Sequence, residues 1–263
     1  MTFERKICII IMESRGGYYE DYNITGKKMV IDNDSIAVSR IPCFMEETEY
    51  LRNVIQSLSY QEAKELWNCN DKIASLNYER FQNMKLDTYL TPAILAYEGI
   101  QYQYMAPAVL DQTSWDYLEE HLRILSGFYG VLNPLDGVVP YRLEMQARFQ
   151  KEPYNLYEFW GDKIARKVCE GTDVVINLAS KEYSKCISRY LPENVSMIEI
   201  VFGELIGGKV KEKGTYAKMA RGEMVRFMAE HQIECVEDMS TFDRLDYHFT
   251  EEYSDEHKMV FIR

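Results

Sequence analysis

The run Asp173-Val-Val-Ile-Asn-Leu-Ala179 is short, β-branched and almost wholly apolar. It lacks the polar alternation of a strand with one wet face, so it reads as a strand buried on both sides, at the centre of a sheet. Residues 7–12, with Cys8 inside the run, read as a second buried strand that ends at a Gly16-Gly17 loop. A polar, turn-rich stretch follows through Asp32, Asn33 and Asp34. Both strands need helices to cover them, and the rest of the chain supplies apolar side chains at helical spacing. Within residues 46–84 these are Leu51, Val54, Ile55, Leu58, Leu66, Ile73, Leu76 and Phe81, with breaks near 68–71 and Asn77, which gives two or three short helices.

Further along, residues 113–122 read as an amphipathic helix capped by Thr113 or Ser114, and residues 156–169 as another helix. Residues 195–205 and 209–213 flank Gly207-Gly208, a hairpin signal, and a well-patterned helix covers 216–231. Residues 247–253 and 258–262 suggest a last hairpin. Strands and helices are interspersed without strict alternation or repeat, and 7 Pro and 14 Gly leave no linker-like segment. The expectation is one α+β domain over residues 1–263, with a mixed β-sheet and flanking helices.

Thirty Lys and Arg against 42 Asp and Glu give a net charge of −12, which disfavours whole-surface attraction to nucleic acid or anionic lipid. A polyanion site must then be a local patch. The longest apolar run is far too short to span a bilayer, and it is followed by Glu13 and Arg15 where a cleavable leader has small residues. A cytoplasmic protein without membrane contact is expected. Six single cysteines and four dispersed histidines show no zinc-type spacing, so reduced thiols, no metal site and no cofactor are expected. The familiar nucleophile-elbow, phosphate-loop, zinc-protease and dinucleotide motifs are missing.

Residues 121–149 place Arg123, Arg142, Glu144 and Arg148 among glycine and proline turns, where guanidinium groups can bind phosphate or carboxylate through paired donors. The same residues equally suit Arg-carboxylate pairs that only staple the fold. Asp162 lies beside Phe159 and Trp160, and Glu182 and Tyr183 follow the central strand; both places suit acid-base groups and both suit ordinary helix starts. At about 100° per residue, Lys218, Arg221 and Arg226 fall on one side of the 216–231 helix, opposite Ala220, Met224, Phe227 and Met228. With Lys209, Lys211 and Lys213 leading in, this is either a phosphate-binding face or a solvated helix surface. Gly222 inside the helix points to close backbone packing. The acidic stretch 250–257 reads as a solvated hairpin tip rather than a cation site.

The segments LRILSGFYGVLNPLDGVVPYRLEM, LYEFWGDKI, VVINLASKEY and YAKMARGEMVRF, in this order, resemble the YaaA family of peroxide stress resistance proteins. The resemblance implies a cytosolic protein that helps cells survive hydrogen peroxide by restraining iron-driven (Fenton) damage. It also implies direct DNA binding through a positively charged cleft and a helix-hairpin-helix element. Arg123, Ser126, Gly127, Tyr129, Gly130, Asp136, Tyr141, Arg142, Glu144, Trp160 and Asp162 meet the family pattern. So do Asn177, Ser180, Glu182, Tyr183, Tyr216, Lys218, Arg221, Gly222 and Arg226. Two departures stand out. Met12-Glu13-Ser14-Arg15 replaces a Ser-Pro-Ala-Lys-like loop, and Asn133 stands where the family often has an arginine. The hairpin is expected over residues 66–81, with Ser75 and Leu76 at its turn and Lys72, Asn77 and Arg80 as phosphate contacts.

Two functions follow. The first is salt-dependent, sequence-independent DNA binding through Arg123, Arg142, Lys218, Arg221 and Arg226, aided by Lys72 and Arg80. The second is an enzyme that holds a small-molecule anion in the Arg123, Arg142 and Asp162 region, with Glu144, Asp162, Glu182 or Tyr183 moving a proton.

Overall fold

The computed structural model describes residues 6–12, 29, 31–32 and 36–263. The Gly16-Gly17 loop, Glu13 to Arg15, Asn33 and Asp34 lie outside the described residues. The chain runs β1 (Ile7–Met12), α1 (Met45–Gln56), α2 (Tyr60–Trp67), α3 (Asp71–Gln82), β2 (Thr91–Pro92), α4 (Ala93–Ala96), α5 (Ile100–Met105) and α6 (Gln112–His121). Strands β3 (Leu122–Ser126), β4 (Gly130–Leu132) and β5 (Gly137–Val138) precede α7 (Leu156–Trp160) and α8 (Lys163–Cys169). Then come β6 (Val174–Asn177), α9 (Lys181–Ser188), β7 (Ser196–Ile206), β8 (Lys209–Lys211), α10 (Gly214–His231), β9 (His248–Phe249) and β10 (Lys258–Ile262).

The main sheet is mixed, in the order β4-β3-β1-β6-β7-β10-β9, with β8 paired to β7 and β2 with β5 forming a separate ribbon. Strands β3, β1, β6, β7 and β10 are mutually parallel, and β4, β8 and β9 are antiparallel additions. The two apolar runs occupy its centre. Ile9, Ile10, Ile11, Val174, Val175 and Ile176 have no exposed surface. Consecutive strand residues point to opposite faces, so both faces are covered. From β1 the chain passes to β3 on one side and later to β6 on the other, so the strand order reverses across β1.

Both expected hairpins form, β7 with β8 and β9 with β10. The expected helix over 156–169 is broken at Gly161, whose φ of +50° no helical residue adopts. On α6 the cap is Asp111, whose carboxylate accepts the Ser114 N–H at 2.8 Å, and not Thr113 or Ser114. Gly222 on α10 packs as expected: a Cβ there would overlap the Gln101 carbonyl oxygen of α5.

The α2 to α3 connection differs from the expected hairpin. Ser75 and Leu76 lie inside α3, and the chain reverses at Asn68, in the left-handed region at φ 43°. Asparagine tolerates that conformation, so no glycine is needed. Asn70 already takes the Ile73 N–H at 3.0 Å, and Asp71 places a carboxylate in the first turn of α3. A phosphate at this helix start would meet an occupied donor and a like charge.

On β7, Glu204 accepts from Lys213 Nζ at 2.6 Å and from Arg263 Nη2 at 2.9 Å, tying the sheet to the entry of α10 and to residue 263. The hydrogen bond from Lys213, then that from Arg263, holds this carboxyl below the usual carboxylate range. A depressed folded pKa contributes stability that is present above the ordinary value and lost as pH falls through the depressed one. Glu204→Gln is therefore expected to lower Tm at neutral pH and to converge on the parent as pH falls below the ordinary carboxylate range, measured by circular dichroism melts. A Tm difference that persists at low pH would show that packing, not charge, is what Glu204 supplies.

Candidate functional site

The site begins at the carboxyl end of β3. Ser126 Oγ accepts the N–H groups of Phe128 and Tyr129 at 3.1 and 3.0 Å, which bends the chain into the turn before β4. Trp160 Nε1 donates to the Gly127 carbonyl at 3.1 Å. A Cβ on Gly127 would overlap the Leu143 carbonyl, so only glycine lets residues 141–146 lie against this turn. That stretch bridges two strand ends. At one end, the Tyr141 hydroxyl is 2.5 Å from Ser126 Oγ and 2.7 Å from the Tyr97 hydroxyl. At the other, the Met145 N–H reaches the Tyr183 hydroxyl at 3.4 Å and the Gln146 N–H reaches Glu182 Oε1 at 3.1 Å, on the first turn of α9. The stretch thus crosses from β3 to the helix that follows β6, over the carboxyl edge where the strand order reverses. In open parallel sheets that crevice is where ligands bind.

Arg142 and Glu144 lie on this bridge and pair at 2.7 Å, with side chains only 11% and 17% exposed. Arg142 Nε and Ser180 Oγ are buried and have no hydrogen-bond partner among the described residues. Ser180 holds the N-cap position of α9 with extended backbone, yet its side chain does not cap the helix. Ser59, Asn70, Asp111 and Asn155 do cap α2, α3, α6 and α7 in that way. A cap-competent hydroxyl that leaves the helix N–H groups alone is available to something else.

The remaining cations do not gather around Arg142 as one surface. Arg123, at the amino end of β3, donates through Nη1 to the Glu119 and Leu122 carbonyls and lines a cavity of about 340 Å³ with Lys6, His121 and Glu234. That cavity is at the amino edge of the sheet, opposite Arg142. Within it His121 is nearly buried, with Nδ1 2.9 Å from the Ile7 carbonyl and Nε2 3.4 Å from Glu234. On α10, Arg221 is 3.4 Å from Glu212, and Arg226 is 2.7 Å from Glu230, which also holds Arg244. Lys218 is half-buried on the same helix. Lys72 is exposed in the first turn of α3, and burial lowers the pKa of the half-buried Arg80 near that helix's end.

Of the proton-transfer candidates, Glu182 and Tyr183 receive the backbone N–H groups that follow Glu144, while the Glu144 carboxylate itself pairs with Arg142. Asp162 sits at the surface, tied to Arg166 at 2.6 Å. Tyr97 and Gln101 are parts of the structure that the sequence did not flag. Gln101 is 5% exposed, and neither end of its amide has a hydrogen-bond partner among the described residues. Asn133 gives its backbone N–H at 2.8 Å and its side-chain amide at 3.2 Å to the fully buried Asp136. Burial pushes the Asp136 carboxyl up, and these donors partly offset it. An amide thus satisfies Asp136 at the position where a family arginine was expected. Among the described residues no three His, Cys, Asp or Glu side chains cluster as metal ligands, and no helix is long and apolar enough to cross a membrane.

Comparison of the sequence with known proteins matches it to a family. The chain is 56% identical to a UPF0246 protein of Lachnoclostridium phytofermentans over 238 residues, covering 90% of this chain and 93% of the relative. A UPF0246 protein of Agathobacter rectalis is 52% identical, with coverage of 90% and 96%. One from Lactiplantibacillus plantarum is also 52% identical, again with 90% and 96% covered. The family model described as peroxide stress protein YaaA matches residues 25–253, which include the bridge from Ser126 to Ser180 and all of α10. The chain belongs to the peroxide stress protein YaaA family.

Proposed function

We propose that this peroxide stress protein binds a small anionic molecule at the carboxyl edge between β3 and β6, with Arg142 as the anion contact and Ser180 as a hydrogen-bond donor. The observation that carries this reading is the pair of buried, unpartnered groups at the strand-order reversal, Arg142 Nε and Ser180 Oγ. Leaving such groups unmade costs about 1–3 kcal/mol each, a cost that a ligand removes on binding. Their burial suits a small molecule better than a duplex at this edge, because duplex phosphates need cations at the surface. Glu144, beside Arg142, is the carboxylate positioned to exchange a proton with such a ligand, while Glu182 and Tyr183 hold backbone N–H groups. A thermal-shift screen of phosphorylated and carboxylated metabolites is expected to give a hit that Arg142→Gln abolishes and Ser180→Ala weakens. A panel without hits, or hits that survive Arg142→Gln, would remove the basis of the proposal.

A second reading, DNA binding that limits iron-driven damage under peroxide, draws on a different observation. Lys209 and Lys211 project from the same side of the exposed strand β8, and neither has a carboxylate partner among the described residues. Sequence-independent contact with phosphates predicts duplex affinity that falls with salt, and a log-log slope reduced by about 1 for each of Lys209→Gln and Lys211→Gln. Affinity indifferent to salt or to both substitutions would rule this reading out.

A further inference from the structure

A groove runs along one side of α1, facing residues 152–163. Its wider part, about 600 Å³, has ring walls from Tyr50, Tyr154 and Phe159 and carboxylates from Glu46, Glu152 and Glu158. This volume falls in the range of small-molecule sites. The Tyr50 and Phe159 rings stack nearly parallel, 13° apart in plane with centroids at 5.7 Å, and Tyr50 and Tyr154 are 45% and 55% exposed. Lys163 also borders the groove, but its ammonium is bound to Glu47 at 2.7 Å. Glu46, Glu152 and Glu158 have no cationic partner among the described residues, and no described Lys or Arg lies over the three rings. The exposed ring surface of Tyr50 and Tyr154 beside unneutralised carboxylates attracts alkylammonium groups through the ring quadrupole and through charge. The same wall repels phosphate.

Glu152 also borders a second cavity of about 210 Å³, floored by Val54, Leu58, Leu66 and Phe149. Arg148 and Lys151 line that cavity together with Glu62 and Glu65, so its charges of both signs offset one another and it lacks the unbalanced carboxylates and paired rings of the wider part. The wider part, at about 600 Å³, suits a short ligand with charge at one region and methylenes that can lie on apolar surface. We infer that this groove binds a short aliphatic polyammonium ion, with ammonium groups at Glu46, Glu152 and Glu158 and methylenes against Tyr50 and Phe159.

The test is equilibrium dialysis of radiolabelled spermidine with the full chain at low ionic strength. The variants are the pair Glu152→Gln with Glu158→Gln, and separately Tyr50→Ala; exposed Glu237→Gln with Glu251→Gln serves as a control for the acidic surface elsewhere. One saturable site is expected, weakened about tenfold by either groove variant and unmoved by the control. Circular dichroism melts establish that each variant folds. Binding that does not saturate, equal losses in the control, or tighter binding of a tetralysine peptide than of spermidine overturns the inference.

Discussion

Trp160→Ala is expected to lower the unfolding free energy by about 3–5 kcal/mol, the range for removing a large buried aromatic side chain. Trp160 has no exposed surface, and its ring lies against Phe44 and Phe159 at centroid distances of 5.5 and 5.0 Å. It also supports the turn that starts the candidate site. Gly130, at φ +74°, comes so close that a Cβ would sit 2.9 Å from the Trp160 ring, and the indole N–H holds the Gly127 carbonyl. Trp160→Phe separates the two roles. It keeps most of the ring contact and leaves the Gly127 carbonyl without its donor, for an expected loss of about 1–3 kcal/mol. Urea unfolding of both variants measures the difference. A Phe variant as stable as the parent would mean that packing alone holds the turn.

Glu144→Ala is expected to destabilise the chain by about 2–4 kcal/mol while making the Arg142 site more attractive to anions. Removing one member of a mostly buried pair strands the other charge, and both side chains here are largely out of water. Arg142→Met with Glu144→Leu removes both charges and is expected to recover much of that loss, because desolvation of the pair is no longer required. The ligand readout moves the opposite way. Without its carboxylate, Arg142 offers a full charge to a bound anion, so Glu144→Ala should give larger anion-induced thermal shifts than the parent. Unchanged stability together with unchanged anion response would show that the pair is loosely held and is not the centre of the site.

The carboxyl edge illustrates how far one-dimensional pattern reaches. Ile9 to Ile11 and Val174 to Ile176 are legible as doubly buried strands because burial on both faces forces an uninterrupted β-branched run. The hairpin at Gly207 and Gly208 is legible because both glycines have positive φ in the turn between β7 and β8. Local competition is harder to read. Asp111 outcompetes Thr113 as a cap, and Asn68 reverses the chain ahead of Ser75 and Leu76, since several nearby residues could each have done the same task.

Residue types and turns were enough to single out Arg142, Glu144, Glu182 and Tyr183 as groups of interest, and to suggest that Gly222 meets another backbone. Which of these meet one another is not a property of neighbours in the chain. Arg123 and Arg142 lie close in sequence, yet they occupy opposite edges of the sheet, because β3 carries Arg123 at its amino end while Tyr141 returns to Ser126 at the other. The composition and periodicity of the chain determined a sheet with a dry centre and helices over it. Only the tertiary fold decided that the strand order reverses across β1, and that the stretch carrying Arg142 crosses the carboxyl edge there to reach the first turn of α9. Side-chain period reports burial one residue at a time, whereas the choice of neighbouring strand depends on long crossovers whose ends carry no local signature.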